Sequence, residues 1–266
     1  MYINSTSKIE RQKRTNLKKV DPQYLSSYPY YSRDGQDIYL NKYIFNGLKN
    51  GLFVDIGAYD GIESSNTLFF EETLEWKGIC VEPISCIFDL LVQNRKCKCI
   101  NKCASDHNGF SKFLHAKPSI RPPSRRDPSR TSNYEKMSGL IDSYPNDHKK
   151  ILYKIIESYG GTVNIFDCQC IDINDVLSML PSKEINLLSI DTEGSELSIL
   201  KHINYFVYTI KVIVVEMLYN KNEILELLTS HGYYKVKELG FDWIFQKKVI
   251  NNAISRIKRF THKNNI

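Results

Sequence analysis

Acidic side chains recur where short apolar segments of this sequence end. In an open α/β sheet, ligands bind beyond the carboxyl ends of parallel strands. Side chains that follow several such strands are therefore expected to face one site. Five residues in the first half of the chain have this placement: Asp55, Asp60, Glu82, Ser105 and Asp106.

The first of these segments runs into a glycine-containing turn at residues 54–61, which reads Val-Asp-Ile-Gly-Ala-Tyr-Asp-Gly. A dinucleotide site requires G-x-G-x-x-G to seat a pyrophosphate. This turn instead has G-x-x-x-G, and its two carboxylates, Asp55 and Asp60, would repel phosphate. They suit the cationic sulfonium and α-amino group of S-adenosylmethionine.

The next two strand ends extend the same interpretation. Glu82 lies about 20 residues beyond the glycine turn, where an acidic residue of a Rossmann-type fold binds ribose hydroxyls. Ser105 and Asp106 follow the third segment and offer acceptors to the adenine amino group. Three acidic strand ends in order therefore predict an S-adenosylmethionine site.

A second acidic group lies in the C-terminal half, at Asp191, Glu193 and Glu216. A hydroxyl is a poor nucleophile, so a base or a metal ion beside it promotes methyl transfer. The hypothesis is that one of the three, above all Asp191, is the general base, or that Asp191 and Glu216 hold a divalent cation such as Mg²⁺. The alternative is that Asp191 only positions the cofactor and Glu193 caps the following helix. Of the histidines, His148 is the one we single out for a role.

Apolar periodicity predicts alternating strands and helices. An α/β fold follows, with a mostly parallel sheet, helices on both faces and a closing antiparallel hairpin. Strands are predicted at 52–57, 78–82, 97–104, 110–115, 162–170, 185–190, 212–216, 233–238 and 243–247, and helices at 64–74, 84–94, 148–159, 173–180, 195–203 and 221–230.

Several short motifs occur in order along the chain: Gln36-Asp37, residues 53–61, Ser65-Asn-Thr67, Trp76-Lys-Gly-Ile-Cys-Val-Glu-Pro83, Asn94-Arg95, Ser189-Ile-Asp-Thr-Glu-Gly-Ser-Glu196, Gly232-Tyr233 and Asp242. In this combination the sequence resembles the FkbM-type methyltransferases over about residues 33–248. It departs from the family in two places: Gly35 precedes Gln36 where the family usually has Ser-Gln-Asp, and the Arg/Pro-rich segment 117–130 is unlike the usual family pattern.

The resemblance implies a Rossmann-like class I methyltransferase fold with a seven-stranded sheet. It also implies S-adenosylmethionine-dependent O-methyl transfer, often to sugar hydroxyls of glycans, glycolipids or natural products. The cofactor-binding residues expected from these motifs and strand ends are Gln36, Asp37, Asp55, Gly57, Ala58, Tyr59, Asp60, Gly61, Asn66, Glu82, Pro83, Ser105, Asp106 and Asp191.

The basic residues are unevenly spread over a chain whose net charge is +6. They cluster at 8–19, 121–130 and 256–263, and such clusters attract anions of any kind. We expect a basic N-terminal arm at 1–32, a methyltransferase domain at 33–248 with an insertion or lid at 117–161, and a basic tail at 249–266.

The apolar runs, the N-terminus and the cysteines together indicate where in the cell the protein is expected. No apolar run approaches the roughly 20 residues of a transmembrane helix, and the N-terminus lacks the apolar core of a signal peptide. The seven cysteines are odd in number, which argues against a disulfide framework. Cys97-x-Cys99 and Cys168-x-Cys170 lie in alternating, strand-like stretches, which favours reduced thiols packed in a sheet over a zinc site. A cytoplasmic location is expected, in the host cell if the source is a virus.

The sequence leaves two classes of methyl acceptor open. A sugar hydroxyl is favoured, while the basic clusters favour RNA or cap 2′-O-methylation. Enzymes of the latter class usually deploy a Lys–Asp–Lys–Glu set, and Lys211 is predicted to lie at the wrong end of its strand for that. A third alternative is a non-catalytic methyltransferase fold that serves as a binding module.

Overall fold

The computed structural model describes residues 29–120 and 133–248. Most of the expected N-terminal arm, the C-terminal tail and the core of the Arg/Pro-rich segment lie outside the described residues. The division into arm, domain with lid, and tail therefore remains a proposal. Within the described ranges, no helix has both the length and the apolar character needed to cross a bilayer.

A seven-stranded sheet forms the centre of the molecule, in the order β10-β11-β9-β8-β1-β2-β3. Its first five strands in sequence are parallel, and β11 pairs antiparallel with both β9 and β10. This arrangement confirms the predicted Rossmann-like fold. The strands are β1 (Leu52–Ile56), β2 (Lys77–Val81), β3 (Lys98–Ile100), β8 (Glu184–Ile190), β9 (Thr209–Glu216), β10 (Tyr233–Leu239) and β11 (Asp242–Lys247).

Helices cover both faces of this sheet because successive strand residues point to opposite sides. Val54 and Ile56 of β1 belong to one apolar cluster, whereas Phe53 belongs to another. The first cluster includes residues of α5 (Ile173–Ser178), α6 (Glu196–His202) and α7 (Lys221–Ser230). The second includes residues of α2 (Leu68–Leu74), α3 (Ser85–Asn94) and the π-helical turn Leu40–Phe45 that continues α1 (Gln36–Tyr39).

A second, four-stranded sheet was not foreseen. Its order is β4-β7-β5-β6, formed by β4 (Cys103–Ser105), β5 (Gly109–Pro118), β6 (Gly139–Leu140) and β7 (Gly161–Asp172). The prediction of one strand over 97–104 was wrong, because the chain leaves the main sheet after Ile100 and re-enters a different sheet at Cys103. The predicted strands at 110–115 and 162–170 exist, but they pair antiparallel with each other.

The described part of the expected insertion packs on this second sheet. It holds a 3₁₀ turn at Tyr134–Met137, strand β6 and the helix α4 (Asn146–Tyr159). Leu152 of α4 is fully buried with Leu114 and Ala116 of β5. The second sheet thus anchors residues 133–159 beside the main sheet.

Candidate active site

Both glycines of the 54–61 turn have left-handed backbone conformations, with φ of +79° at Gly57 and at Gly61. A Cβ on Gly57 would lie 1.8 Å from the backbone carbonyl oxygen of Asp191. A Cβ on Gly61 would lie 2.7 Å from Cγ of Arg95. The glycines are therefore required by contacts inside the protein. The helix predicted at 64–74 is present, but it begins only at Leu68.

Asp55 is buried at the end of β1 and is paired within the fold. Its Oδ2 accepts a hydrogen bond from Thr67 Oγ1 at 2.6 Å and lies 3.9 Å from Arg95 Nη1. Burial raises the pKa of Asp55, and the Arg95 guanidinium opposes that rise. This carboxylate therefore helps fix the turn while it also borders the cleft described next.

A cleft opens beyond the carboxyl ends of β1, β2 and β8. Its space, including the open mouth, is about 850 Å³. Of the residues predicted from the sequence, those that line it are Asp55, Gly57, Ala58, Tyr59, Asn66, Glu82, Pro83 and Asp191.

Glu82 is held at the floor of this cleft by backbone donors. Its Oε2 accepts from the Tyr59 N–H at 3.1 Å, and its Oε1 accepts from the Ile84 N–H at 2.9 Å. Burial raises the pKa of Glu82 to about 7 despite these bonds. Each oxygen still has acceptor capacity for a ligand hydroxyl.

One end of the cleft is apolar. Ile84, Cys103, Phe113 and Leu140 form it, and all four belong to one buried cluster. The strands β4, β5 and β6 of the second sheet supply the last three. A planar, apolar ring would fit beside Phe113 at this end.

Ser105 and Asp106, predicted to meet adenine, are not among the lining residues. Ser105 is buried and donates to Asp106 at 3.1 Å, while Asp106 is exposed and accepts from Ser198 at 2.8 Å. The two residues before them on β4, Cys103 and Ala104, do line the cleft. Contact between adenine and Ser105 or Asp106 remains a prediction.

Four other predicted cofactor residues also lie outside the lining: Gln36, Asp37, Asp60 and Gly61. Gln36 Nε2 donates to Asp242 at 2.6 Å, which ties α1 to the closing hairpin. Asp37 is fully buried and accepts from the Tyr31 N–H at 2.6 Å. Asp60 caps the turn by accepting from the N–H groups of residues 62 and 63. The side chains of Gln36, Asp37 and Asp60 thus form hydrogen bonds within the protein around the site.

Asp191, Glu193 and Glu216 converge as expected. Each offers a carboxylate oxygen, and these oxygens lie within 4.8 Å of one another. Asp191 is exposed and lines the cleft, whereas Glu193 is half-buried, Glu216 is buried, and neither is a lining residue. Burial raises the pKa of all three, and the charge of Asp191 adds to the rise at Glu193 and Glu216.

The turn after β8 holds this acidic cluster in place. Glu196 accepts from the Thr192 N–H at 2.8 Å and from the Gly194 N–H at 3.1 Å. Glu193 lies between these residues with φ of +59°, an uncommon conformation for a residue with a Cβ. Such strain recurs at functional sites, where the surroundings enforce it.

His148 of α4 approaches the cluster from the insertion. Its Nε2 lies 3.4 Å from Glu193 Oε2, and its Nδ1 lies 2.6 Å from the Tyr219 hydroxyl. Among residues 29–120 and 133–248, neither His148 Nε2 nor Glu193 Oε2 has a hydrogen-bond partner. Burial lowers the pKa of His148 to about 4, so the ring is neutral at physiological pH.

Several lining residues were missed by the sequence reasoning: Glu63, Ser64, Ser65, Glu135, Lys136, Ser138, Ser189 and Thr192. Lys136 Nζ donates to the Glu63 carbonyl at 2.7 Å and lies 4.8 Å from the centre of the Tyr59 ring. Glu135 accepts from the Tyr59 hydroxyl at 3.1 Å. Ser189 lies within a quoted motif, but nothing in the local pattern marked Glu135 or Lys136.

The family comparison assigns the chain to a family. The model of the methyltransferase FkbM domain matches residues 55–235, a range that includes the end of β1, Glu82 and the whole acidic cluster. The chain belongs to the FkbM methyltransferase family. This assignment agrees with the resemblance seen in the motifs, and no curated protein matches the sequence.

Solved structures similar to this FkbM-family chain are distant in sequence. An FkbM methyltransferase from Methylobacillus flagellatus KT is 12% identical with a TM-score of 0.40, over 78% of this chain and 47% of that one. This chain therefore spans about half the length of that relative. A proposed RNA methyltransferase from Pyrococcus horikoshii is 12% identical with a TM-score of 0.41, over 91% and 100% of the two chains. A precorrin-6y C5,15-methyltransferase from Geobacter metallireducens GS-15 is 12% identical with a TM-score of 0.37, over 82% and 89%.

Proposed function

We propose that this protein is an S-adenosylmethionine-dependent O-methyltransferase that methylates a sugar hydroxyl of a glycan or glycoconjugate. One observation carries the proposal: Glu82 and Asp191 line the same cleft, so an acceptor for ribose hydroxyls and a base face one space. The family assignment supports methyl transfer, and the cleft supports the cofactor and the hydroxyl acceptor.

The lining residues fit S-adenosylmethionine. Glu82 would accept from the ribose hydroxyls, and the apolar end beside Phe113 and Leu140 would take the adenine ring. Asp55 and Asp191 place negative charge near the turn, which suits the sulfonium and the α-amino group. Lys136 offers a cation to the methionine carboxylate. Bound S-adenosylmethionine supplies a methyl group on a positively charged sulfur.

Asp191 is the proposed base. It accepts the hydroxyl proton as the acceptor oxygen bonds to the methyl carbon, and the electron pair of the broken C–S bond stays on sulfur. A raised pKa makes Asp191 a stronger base than an exposed carboxylate. The positive charges of Arg33 and Lys136 oppose that rise.

A sugar acceptor is proposed from the family resemblance together with the carboxylate base. RNA 2′-O-methylation is the alternative, with nucleic acid as the partner. Lys211 lies inside β9, not before it as predicted from the sequence, and its Nζ is 3.7 Å from Glu184 at the start of β8. It is therefore at the opposite end of the sheet from Glu216 and cannot join the acidic cluster.

Transfer of labelled methyl groups to a glycan and glycolipid pool, and in parallel to RNA, tests this function. We expect product on sugar hydroxyls, with the turnover rate of Asp191→Asn reduced by about 100-fold or more because the base is lost. The affinity for S-adenosylmethionine should change far less. Asp106→Asn, an exposed carboxylate outside the cleft, is the matched control and should keep parental turnover. Retained turnover in Asp191→Asn, or RNA-stimulated turnover with a steep salt dependence, would contradict the proposal.

A further inference from the structure

Two buried ligand atoms face each other at the acidic cluster without a hydrogen bond. His148 Nε2 and Glu193 Oε2 are 3.4 Å apart, and among the described residues neither has a partner. The side chain of His148 is 97% buried, since its relative exposure is 3%. Buried polar atoms left unpaired cost free energy, so an arrangement that retains two of them side by side requires an explanation.

The other ring nitrogen of His148 fixes what Nε2 can do. Nδ1 lies 2.6 Å from the Tyr219 hydroxyl. When Nδ1–H donates to the Tyr219 oxygen, Nε2 carries a lone pair toward Glu193. This is the usual arrangement at metal sites, where the outer partner of the imidazole sets the tautomer of the ligating nitrogen.

The charges around the cluster favour a cation. Asp191, Glu193 and Glu216 offer oxygens within 4.8 Å of one another. Among residues 29–120 and 133–248, Arg33 and Lys136 are the cations that act on Asp191 electrostatically. Lys136 is engaged with Glu63, and Arg33 is 3.4 Å from Asp34. Two cations, each also close to another carboxylate, therefore face three carboxylates.

We propose that Asp191, Glu193, Glu216 and His148 bind one divalent metal ion, through His148 Nε2 and one oxygen of each carboxylate. Two ligand atoms about 2.1 Å from a tetrahedral ion lie about 3.4 Å apart, which matches the His148–Glu193 separation. An imidazole ligand favours Mn²⁺ or Zn²⁺ over the Mg²⁺ expected from the sequence, since Mg²⁺ prefers oxygen ligands and water.

The ion would lie next to the cleft because Asp191 is a lining residue. There it would lower the pKa of an acceptor hydroxyl and ease its deprotonation. This role rests on the proposed methyl transfer, whereas binding of the ion does not.

Calorimetric titration of chelator-treated protein with Mn²⁺, Zn²⁺ and Mg²⁺ tests the site without any methyl transfer. We expect one Mn²⁺ or Zn²⁺ per chain, bound more tightly than Mg²⁺, and an affinity at least about tenfold weaker in His148→Gln and Glu216→Gln. His202→Gln is the matched control, since that histidine is exposed and pairs with Asp172. Electron spin-echo spectra of bound Mn²⁺ should show ¹⁴N coupling that His148→Gln removes.

Asp191→Asn provides an independent variant if a buried substitution prevents folding, because Asp191 is the cluster residue that reaches the open cleft. Absence of stoichiometric Mn²⁺ and Zn²⁺ binding in the parent, or equal binding in the parent and these variants, would overturn the inference. S-adenosylmethionine is titrated into the same metal-free samples. Cofactor binding without metal binding rejects the metal site and leaves the proposed function intact. Metal binding without cofactor binding supports the metal site and contradicts the proposed function.

Discussion

Gly57 shows how a single residue ties the two halves of the site together. It follows β1, and its backbone packs against the carbonyl oxygen of Asp191 at the end of β8. The Asp191 N–H also donates to the Ile56 carbonyl at 3.0 Å. The cofactor turn and the base are thus joined through the backbone, so a side chain at position 57 would push Asp191 away.

Gly57→Ala should lower the free energy of unfolding by about 4 kcal/mol or more, because its Cβ would lie 1.8 Å from a backbone oxygen. Gly232→Ala is the matched control. Gly232 has nearly the same φ, +78°, but no atom of the described part of the chain lies within 4 Å of the added Cβ, so only backbone strain of about 1–2 kcal/mol applies. Urea unfolding of both variants measures the difference. Equal losses would contradict the close approach of the two strand ends.

Glu82 makes the stability of the cofactor-free protein depend on pH. Its pKa is about 7 in the fold against an ordinary value of 4.5, so the folded state holds a proton that the unfolded state releases. Stability should therefore be fully present below about pH 4.5 and fall as the pH rises through 7. The contribution is at most about 3 kcal/mol, since one pKa unit corresponds to about 1.4 kcal/mol.

Glu82→Gln should flatten that fall, because an amide does not ionise. Unfolding by urea at several pH values between 4.5 and 8 measures it. Glu184→Gln is the control that should keep the parental slope, since Glu184 is an exposed carboxylate at the start of β8. An unchanged slope in Glu82→Gln would show that this carboxyl ionises freely in the fold.

At the scale of elements, Arg95 explains why three segments meet at the cofactor turn. It follows α3 and donates to Glu71 of α2, and its Nη2 donates to Thr67 Oγ1 at 2.9 Å. Because Thr67 in turn donates to Asp55 of β1, one buried guanidinium links α2, α3 and β1. Breaking such a buried pair from one side leaves an uncompensated charge.

The elements of the main sheet could be predicted because their signals are local. The buried run Glu184–Ile190 and the helix Lys221–Ser230 follow from apolar periodicity alone. The start of α2 could not be predicted, since Ser65 Oγ accepts from the N–H groups of Thr67 and Leu68 and delays the helix. The second sheet was missed because strand pairing between Phe113 and Phe166 is set by distant contacts.

At the scale of the whole molecule, the candidate site combines parts with very different sequence signals. Glu82 and Asp191 lie at the ends of strands of the main sheet. Both residues could be predicted because each directly follows a buried apolar run in the sequence. Phe113, Leu140 and Lys136 reach the cleft only because the second sheet folds beside the first. No local pattern could indicate that juxtaposition.

The most direct test of the account is calorimetric titration of S-adenosylmethionine into the parent protein, Glu82→Gln and Asp106→Asn. We predict one site per chain in the parent, at least about tenfold weaker binding in Glu82→Gln through loss of charge-assisted hydrogen bonds to the ribose, and parental affinity in Asp106→Asn. A melting temperature for each variant separates lost binding from lost folding. No binding by the folded parent, or an equal loss in Asp106→Asn, would contradict the proposed cofactor site.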